Sequence, residues 1–215
     1  MWEKFSNFEV ALRTPLFIRA PQFQQAGIID APVELVDIYR TLADLADLNL
    51  PEDEVIDGKS LVPLMRRDLN EEQVEWKAFS QFPRCLNGAN YASLPLSKAD
   101  RQVWRAYGEG DKPSFSHEVT GLPAWKLTNC NEITADGMDF MGLSVRTVEW
   151  RFTAWFRFSG EVDFEGGAVA EELYKYERGD LDIFKGSNNF DNVVDDPANA
   201  EALETLRSII EEQWT

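Results

Sequence analysis

The sequence predicts an α/β fold, and three observations predict it. Leu35, Ile38, Tyr39, Leu42, Leu45 and Ala46 recur at helical spacing, with Glu34, Asp37, Thr41 and Asp44 on the other side. Residues 140 to 158 alternate apolar and polar with a period of two, the signature of a half-buried hairpin. Leu16-Phe17-Ile18, bounded by Pro15 and Pro21, is a short continuous apolar run of the kind found in buried parallel strands.

Taken in order, the first helix is expected to start near Pro32, whose missing N–H costs nothing in a first turn. Its apolar stripe should dock on a core. Asn49 and Pro51 stop it. A polar turn centred on Asp57-Gly58 follows, and Ser60 can cap a second short helix, Leu61 to Arg66. Residues 68 to 75 form a charged connector, and a domain boundary is placed there. Trp76, Ala78, Ser80 and Phe82 then alternate with Lys77, Phe79 and Gln81 as in a strand. Residues 85 to 138 are punctuated by Gly and Pro and read as a long irregular insertion, with Lys98 to Tyr107 as a candidate short helix.

In the hairpin, Met141, Leu143 and Val145 alternate with Gly142, Ser144 and Arg146. Beyond the link at Thr147-Val148-Glu149, Trp150, Phe152, Ala154, Phe156 and Phe158 alternate with Arg151, Thr153, Trp155 and Arg157. One face is aromatic and needs a covering layer. Arg146, Arg151 and Arg157, on the other, are expected to pair with acids. Gly166-Gly167 lacks the spacing of a phosphate loop, and the Asp- and Asn-rich residues 179 to 196 lack that of an EF-hand. Asp196 caps the last helix with Pro197 at its first position. Leu203, Leu206, Ile210 and Trp214 on that helix are the natural cover for the aromatic face.

Composition narrows the function. The 215 residues are 44% hydrophobic and 12% aromatic, enough to build a core. With 38 acidic against 21 basic residues the net charge is −17, which argues against nucleic acid and against an anionic membrane surface as partners. An anionic substrate would need a local basic pocket. No stretch reaches transmembrane length, and MWEKFSNFEV lacks the basic and apolar regions of a signal peptide. Cys85 and Cys130 could pair or stay free. The lone His117 argues against a His-based metal site, so no metal ligand is assigned.

The order of the words says more. VELVDIYRTLADLADL followed by DGKSLVPLM resembles the sulfatase family, most of all its iduronate-2-sulfatase branch. WEKFSNFEVALRTPLFIRAP before it, and SQFPR, MGLSVRTVEWRFTAWFRF and EELYKY after it, extend the resemblance to most of the chain outside residues 85 to 138. It implies the C-terminal part of an alkaline-phosphatase-like fold. Residues 1 to 70 would be a remnant of the catalytic domain, exposing core surface when alone. Residues 76 to 215 would be the C-terminal subdomain, a small antiparallel sheet with a terminal helix. The family pattern continues upstream of Met1, so the chain is expected to be a fragment, a mis-set start or one half of a split enzyme.

The resemblance also names residues. Lys4, in the word Trp2-Glu3-Lys4, matches the family lysine that reaches the sulfate oxygens, where a fixed ammonium stabilises developing charge. By residue type alone Lys4 would be a solvated lysine. Arg84, in SQFPR, could grip an anion bidentately or pair with a nearby carboxylate. Trp2, Trp104, Arg105, His117, Trp125 and Lys126 are suited to a sulfated sugar, offering flat faces and cations. Alternatively, the aromatic residues of the insertion anchor a small core of their own. The family's formylglycine and calcium ion are expected in a missing N-terminal part, since neither cysteine stands in a C/S-x-P-x-R word. The expected partners are therefore a sulfated glycan or other sulfate ester and the missing N-terminal half. The expected function is a portion of a sulfuric-ester hydrolase, inactive alone. The alternative is a non-catalytic glycan-binding or interaction module. The branch is usually secreted, periplasmic or lysosomal, but no address is legible here.

Overall fold

The structure, a computed structural model, describes residues 6–23, 27–51, 53, 55–66, 76–84, 138–177 and 191–215. The connector, most of the insertion and residues 178–190 lie outside them, as does the proposed helix at Lys98 to Tyr107.

A four-stranded antiparallel sheet organises the C-terminal part. Its strands are β1 (Ala78–Arg84), β2 (Phe140–Arg146), β3 (Trp150–Arg157) and β4 (Ala170–Lys175), in that spatial order. The hairpin read from the alternation is the β2–β3 pair, with Val145 opposite Phe152 and Leu143 opposite Ala154. One face collects Met141, Leu143, Val145, Phe152, Ala154, Phe156 and Leu173. Helix α4 (Ala200–Trp214) covers it with Leu203, Leu206, Ile209 and Ile210, as the apolar stripe of that helix predicts. Trp214 closes the end edge-on against Phe79. Asp196 does cap, its side chain accepting from the Ala198 amide at 2.9 Å, but it caps a 3-10 turn (Pro197–Asn199) that leads into α4. The β4 edge is covered by Asn192, whose side chain accepts from Leu173 N, and by Val193, whose amide bonds Leu173 O.

The N-terminal part departs from expectation in two places. Leu16 to Ile18 form no strand; Phe17 is 92% exposed. The run is apolar enough for a buried strand, but the sheet among the described residues is wholly antiparallel and offers it no neighbour. The first long helix, α2 (Asp37–Leu45), starts after Pro32, and its apolar stripe does not dock. Leu35, Tyr39 and Leu42 are exposed, while Asp37, Thr41 and Ala43 are buried. The polar side turns inward because hydrogen bonds hold it. Asp37 accepts from Glu34 N (2.9 Å) and Lys59 N (2.8 Å). The Thr41 hydroxyl donates to Asp37 O and accepts from Leu61 N. Gly58 is required at this junction: a Cβ there would lie 2.3 Å from Val36 O. Ser60 caps α3 (Val62–Arg66) as its position predicts, accepting from Val62 N. Ala31, Leu61, Leu64 and Trp76 make a second, smaller core.

All the large apolar side chains exposed among the described residues fall between Leu12 and Val55.

Candidate functional site on the polar face of the sheet

The face of the sheet opposite α4 carries the polar half of each alternating strand. Its register gives rows across the strands. Ala78, Arg146, Arg151 and Tyr174 form one; Ser80, Ser144, Thr153 and Glu172 the next; then Phe82, Gly142, Trp155 and Ala170; then Arg84, Phe140 and Arg157.

Arg146 and Arg151 sit directly opposite each other, and like charges so placed destabilise a sheet unless an anion intervenes. Glu9, in the single-turn helix α1 (Glu9–Leu12), supplies it. Its carboxylate accepts from Arg151 at 2.7 Å and Arg146 at 3.1 Å, and is itself 4% exposed. Burial alone would raise the Glu9 pKa, but the two guanidinium charges and their hydrogen bonds outweigh it and hold the carboxyl below the ordinary range. Arg146 also donates to Thr147 O and Val148 O and lies over the Tyr176 ring, 4.0 Å from its centroid. The expectation that Arg146 and Arg151 pair with acids is met by this one residue; Arg157 is exposed at the rim.

The neighbouring residues of the segment also bind the sheet. Asn7 Nδ2 donates to Gly142 O at 3.0 Å, and the Phe8 ring meets Tyr174 edge-on. Asn7 Oδ1, Ser80 Oγ and Arg151 Nε are buried here without a hydrogen-bond partner among the described residues, which leaves spare polar capacity on this face.

A second buried carboxyl, Glu172, accepts from Trp155 Nε1 (2.9 Å) and the Tyr174 hydroxyl (3.0 Å). Burial raises its pKa; the two hydrogen bonds and the Arg84 charge only partly oppose this. Burial and the nearby Glu172 push the Tyr174 phenol upward as well. Trp155 lies flat against Gly142, where a Cβ would come within 2.7 Å of the indole.

Of the sequence-predicted site residues, Arg84 is described. It ends β1, with its guanidinium 5.3 Å from the ring centroids of both Phe82 and Trp155. Trp2, Lys4, Trp104, His117, Arg105, Trp125, Lys126, Cys85 and Cys130 lie outside the described residues. Sequence reasoning missed Asn7, Glu9 and Glu172. The signal for Glu9 was present: a short link between Arg146 and Arg151 pairs them and so demands an acid from elsewhere. Among the described residues no three His, Cys, Asp or Glu side chains converge as metal ligands. None of the described helices is long and apolar enough to cross a membrane.

No family model matches the chain. It is similar to mouse steryl-sulfatase, 36% identical over 110 residues, covering 48% of this chain and 16% of that protein. It is similar to arylsulfatase K of Danio rerio, 36% identical over half of this chain and 20% of that one. Human iduronate 2-sulfatase is 27% identical across 74% of this chain and 30% of its own length. Two solved sulfatase structures, one from Bacteroides thetaiotaomicron and one of a 2-O GAG sulfatase, each align with 82% of this chain and 23% of theirs, at 17% identity and a TM-score of 0.39. The resemblance to sulfatases read from the sequence therefore holds, and the chain spans less than a third of these curated relatives.

Proposed function

We propose that this chain is the C-terminal portion of a sulfuric-ester hydrolase acting on sulfated glycans. The reading is supported by the likeness to iduronate 2-sulfatase, 27% identical across 74% of the chain. The sulfate contact is assigned to Lys4, with Trp2, Arg84, Trp104 and His117 toward the sugar.

The observation that carries the reading is the unfinished core. An apolar surface gathered between Leu12 and Val55, on a helix whose polar side is already hydrogen-bonded inward, suits further polypeptide rather than water. The occupant proposed for it is the portion of the sulfatase chain that this protein does not span. The formylglycine nucleophile and the calcium ion belong to that portion. This chain alone then positions and contacts substrate but hydrolyses nothing.

The test is to assay the 215-residue chain on an aryl sulfate, alone and co-expressed with an N-terminal sulfatase portion bearing a C/S-x-P-x-R word. The expected result is no turnover alone, with co-purification and turnover together. Phe17→Glu combined with Leu42→Glu should abolish co-purification. Sulfatase activity from the isolated chain would overturn the proposal. Specific micromolar glycan binding by the lone chain, without co-purification, would make it a binding module instead.

A further inference from the structure

The sheet builds the arginine pair without help from the segment that the pair holds. Arg146 and Arg151 are opposite residues of β2 and β3, so the strand register alone brings them together. Arg146 is fixed further by its donation to Thr147 O and Val148 O in the hairpin link and by the Tyr176 ring beneath it. Its remaining donors form a fork. Nε reaches Glu9 Oε2 at 3.1 Å and Nη2 reaches Oε1 at 3.4 Å, the two-pronged arrangement that matches a planar carboxylate. Arg151 Nη2 adds a third donor at 2.7 Å.

The pair has capacity to spare. Two buried guanidiniums face one carboxylate, and Arg13 stands 3.8 Å from the same group. Arg151 Nε is buried with no hydrogen-bond partner among the described residues. In a chain of net charge −17 this is a local basic site, and its surplus of positive charge asks for an anion. The segment that supplies one is otherwise held by neutral contacts, Asn7 on Gly142 O and the Phe8 ring on Tyr174, and α1 is a single turn without a side-chain cap.

We propose that Arg146 and Arg151 form a carboxylate-binding site preformed on the sheet, and that Glu9 is its tethered occupant. Residues 6–12 are then a strap that the site holds by one acidic side chain, and a site vacated by Glu9 takes up a free short-chain carboxylate in its place. The inference goes beyond the sulfatase reading and does not depend on it.

The test uses the full 215-residue chain. Glu9→Ala removes one methylene and the carboxyl group, so acetate replaces the missing atoms one for one. In sodium chloride the variant should melt at least about 6 °C below the parent, because two buried cations lose their partner. Exchange of chloride for acetate at constant ionic strength should recover about half of that loss or more, with a midpoint on the order of 10 mM, the range open to so small a ligand. Acetamide, the neutral isostere, should recover nothing. The parent, its site filled by a tethered carboxylate, should not respond to acetate. Arg146→Met added to Glu9→Ala should abolish the acetate response. Should Glu9→Ala not fold in chloride, the yield of folded protein on refolding in acetate against acetamide is the readout. No recovery by acetate, equal recovery by acetamide, or a response that survives Arg146→Met overturns the inference.

Discussion

Gly142→Ala tests how tightly the polar face is built. A Cβ at residue 142 would stand 2.7, 2.8 and 2.9 Å from three carbons of the Trp155 six-membered ring. Carbon atoms rest at about 3.5–4.0 Å, so the indole must retreat by roughly 1 Å. It cannot do so freely, because its Nε1 donates to Glu172 at 2.9 Å, and a withdrawal of about 1 Å breaks that bond. Overpacking costs ~1–3 kcal/mol, and depriving the buried Glu172 carboxyl of a donor adds ~1–3 kcal/mol. The sum, roughly 2–6 kcal/mol, corresponds to a melting point lower by roughly 4–24 °C for a chain of this size. Calorimetry and urea titration followed by tryptophan fluorescence would measure it. The same substitution in a Trp155→Phe background should cost distinctly less, since the outer ring carbons are gone. A Gly142→Ala protein within about 0.5 kcal/mol of the parent, or an undiminished penalty in the Trp155→Phe background, would show that the indole is not pinned.

Other expectations follow from the same contacts. Thr41→Val keeps shape but leaves the Leu61 amide without its acceptor, and should lower stability by ~1–3 kcal/mol in urea titration. Glu172 takes up a proton more readily folded than unfolded, so folding is favoured at low pH and loses ground as pH rises above the ordinary value of 4.5 through the raised one. Glu172→Gln should flatten that slope and leave the protein at least as stable near neutral pH, read from melting points across pH; an unchanged slope would count against the assignment. Glu9 runs the opposite way: its contribution is complete above 4.5 and is lost as pH falls through its depressed value, so Glu9→Gln should cost most near neutrality and least in acid. Leu42→Lys, on the exposed side of α2, should change stability by less than about 0.5 kcal/mol while reducing self-association in light scattering. A loss above about 1 kcal/mol would mean that this side is already buried.

Alternation determined the central hairpin of the sheet. Because side chains along a strand point to opposite faces, Met141 to Val145 and Phe152 to Phe156 dictated an apolar face, and Leu203, Leu206 and Ile210 dictated its cover. Local chemistry likewise made Ser60 and Asp196 legible as caps, since each acts within a few residues of itself. The turn expected at Asp57-Gly58 is not formed; Gly58 is required instead by the close approach of Val36. The orientation of α2 was not legible. Its apolar stripe is unmistakable, yet a stripe says only that burial would be favourable, not that a partner is present. Asp37 and Thr41 found hydrogen bonds with residues 59 and 61, and those bonds turned the polar side inward. Leu16 to Ile18 failed as a strand for a related reason: a strand needs a neighbour, and its composition cannot supply one. The polar face was half legible. The hairpin showed that Arg146 and Arg151 would meet and need an acid, but only the tertiary fold, joining residues more than a hundred positions apart, selected Glu9.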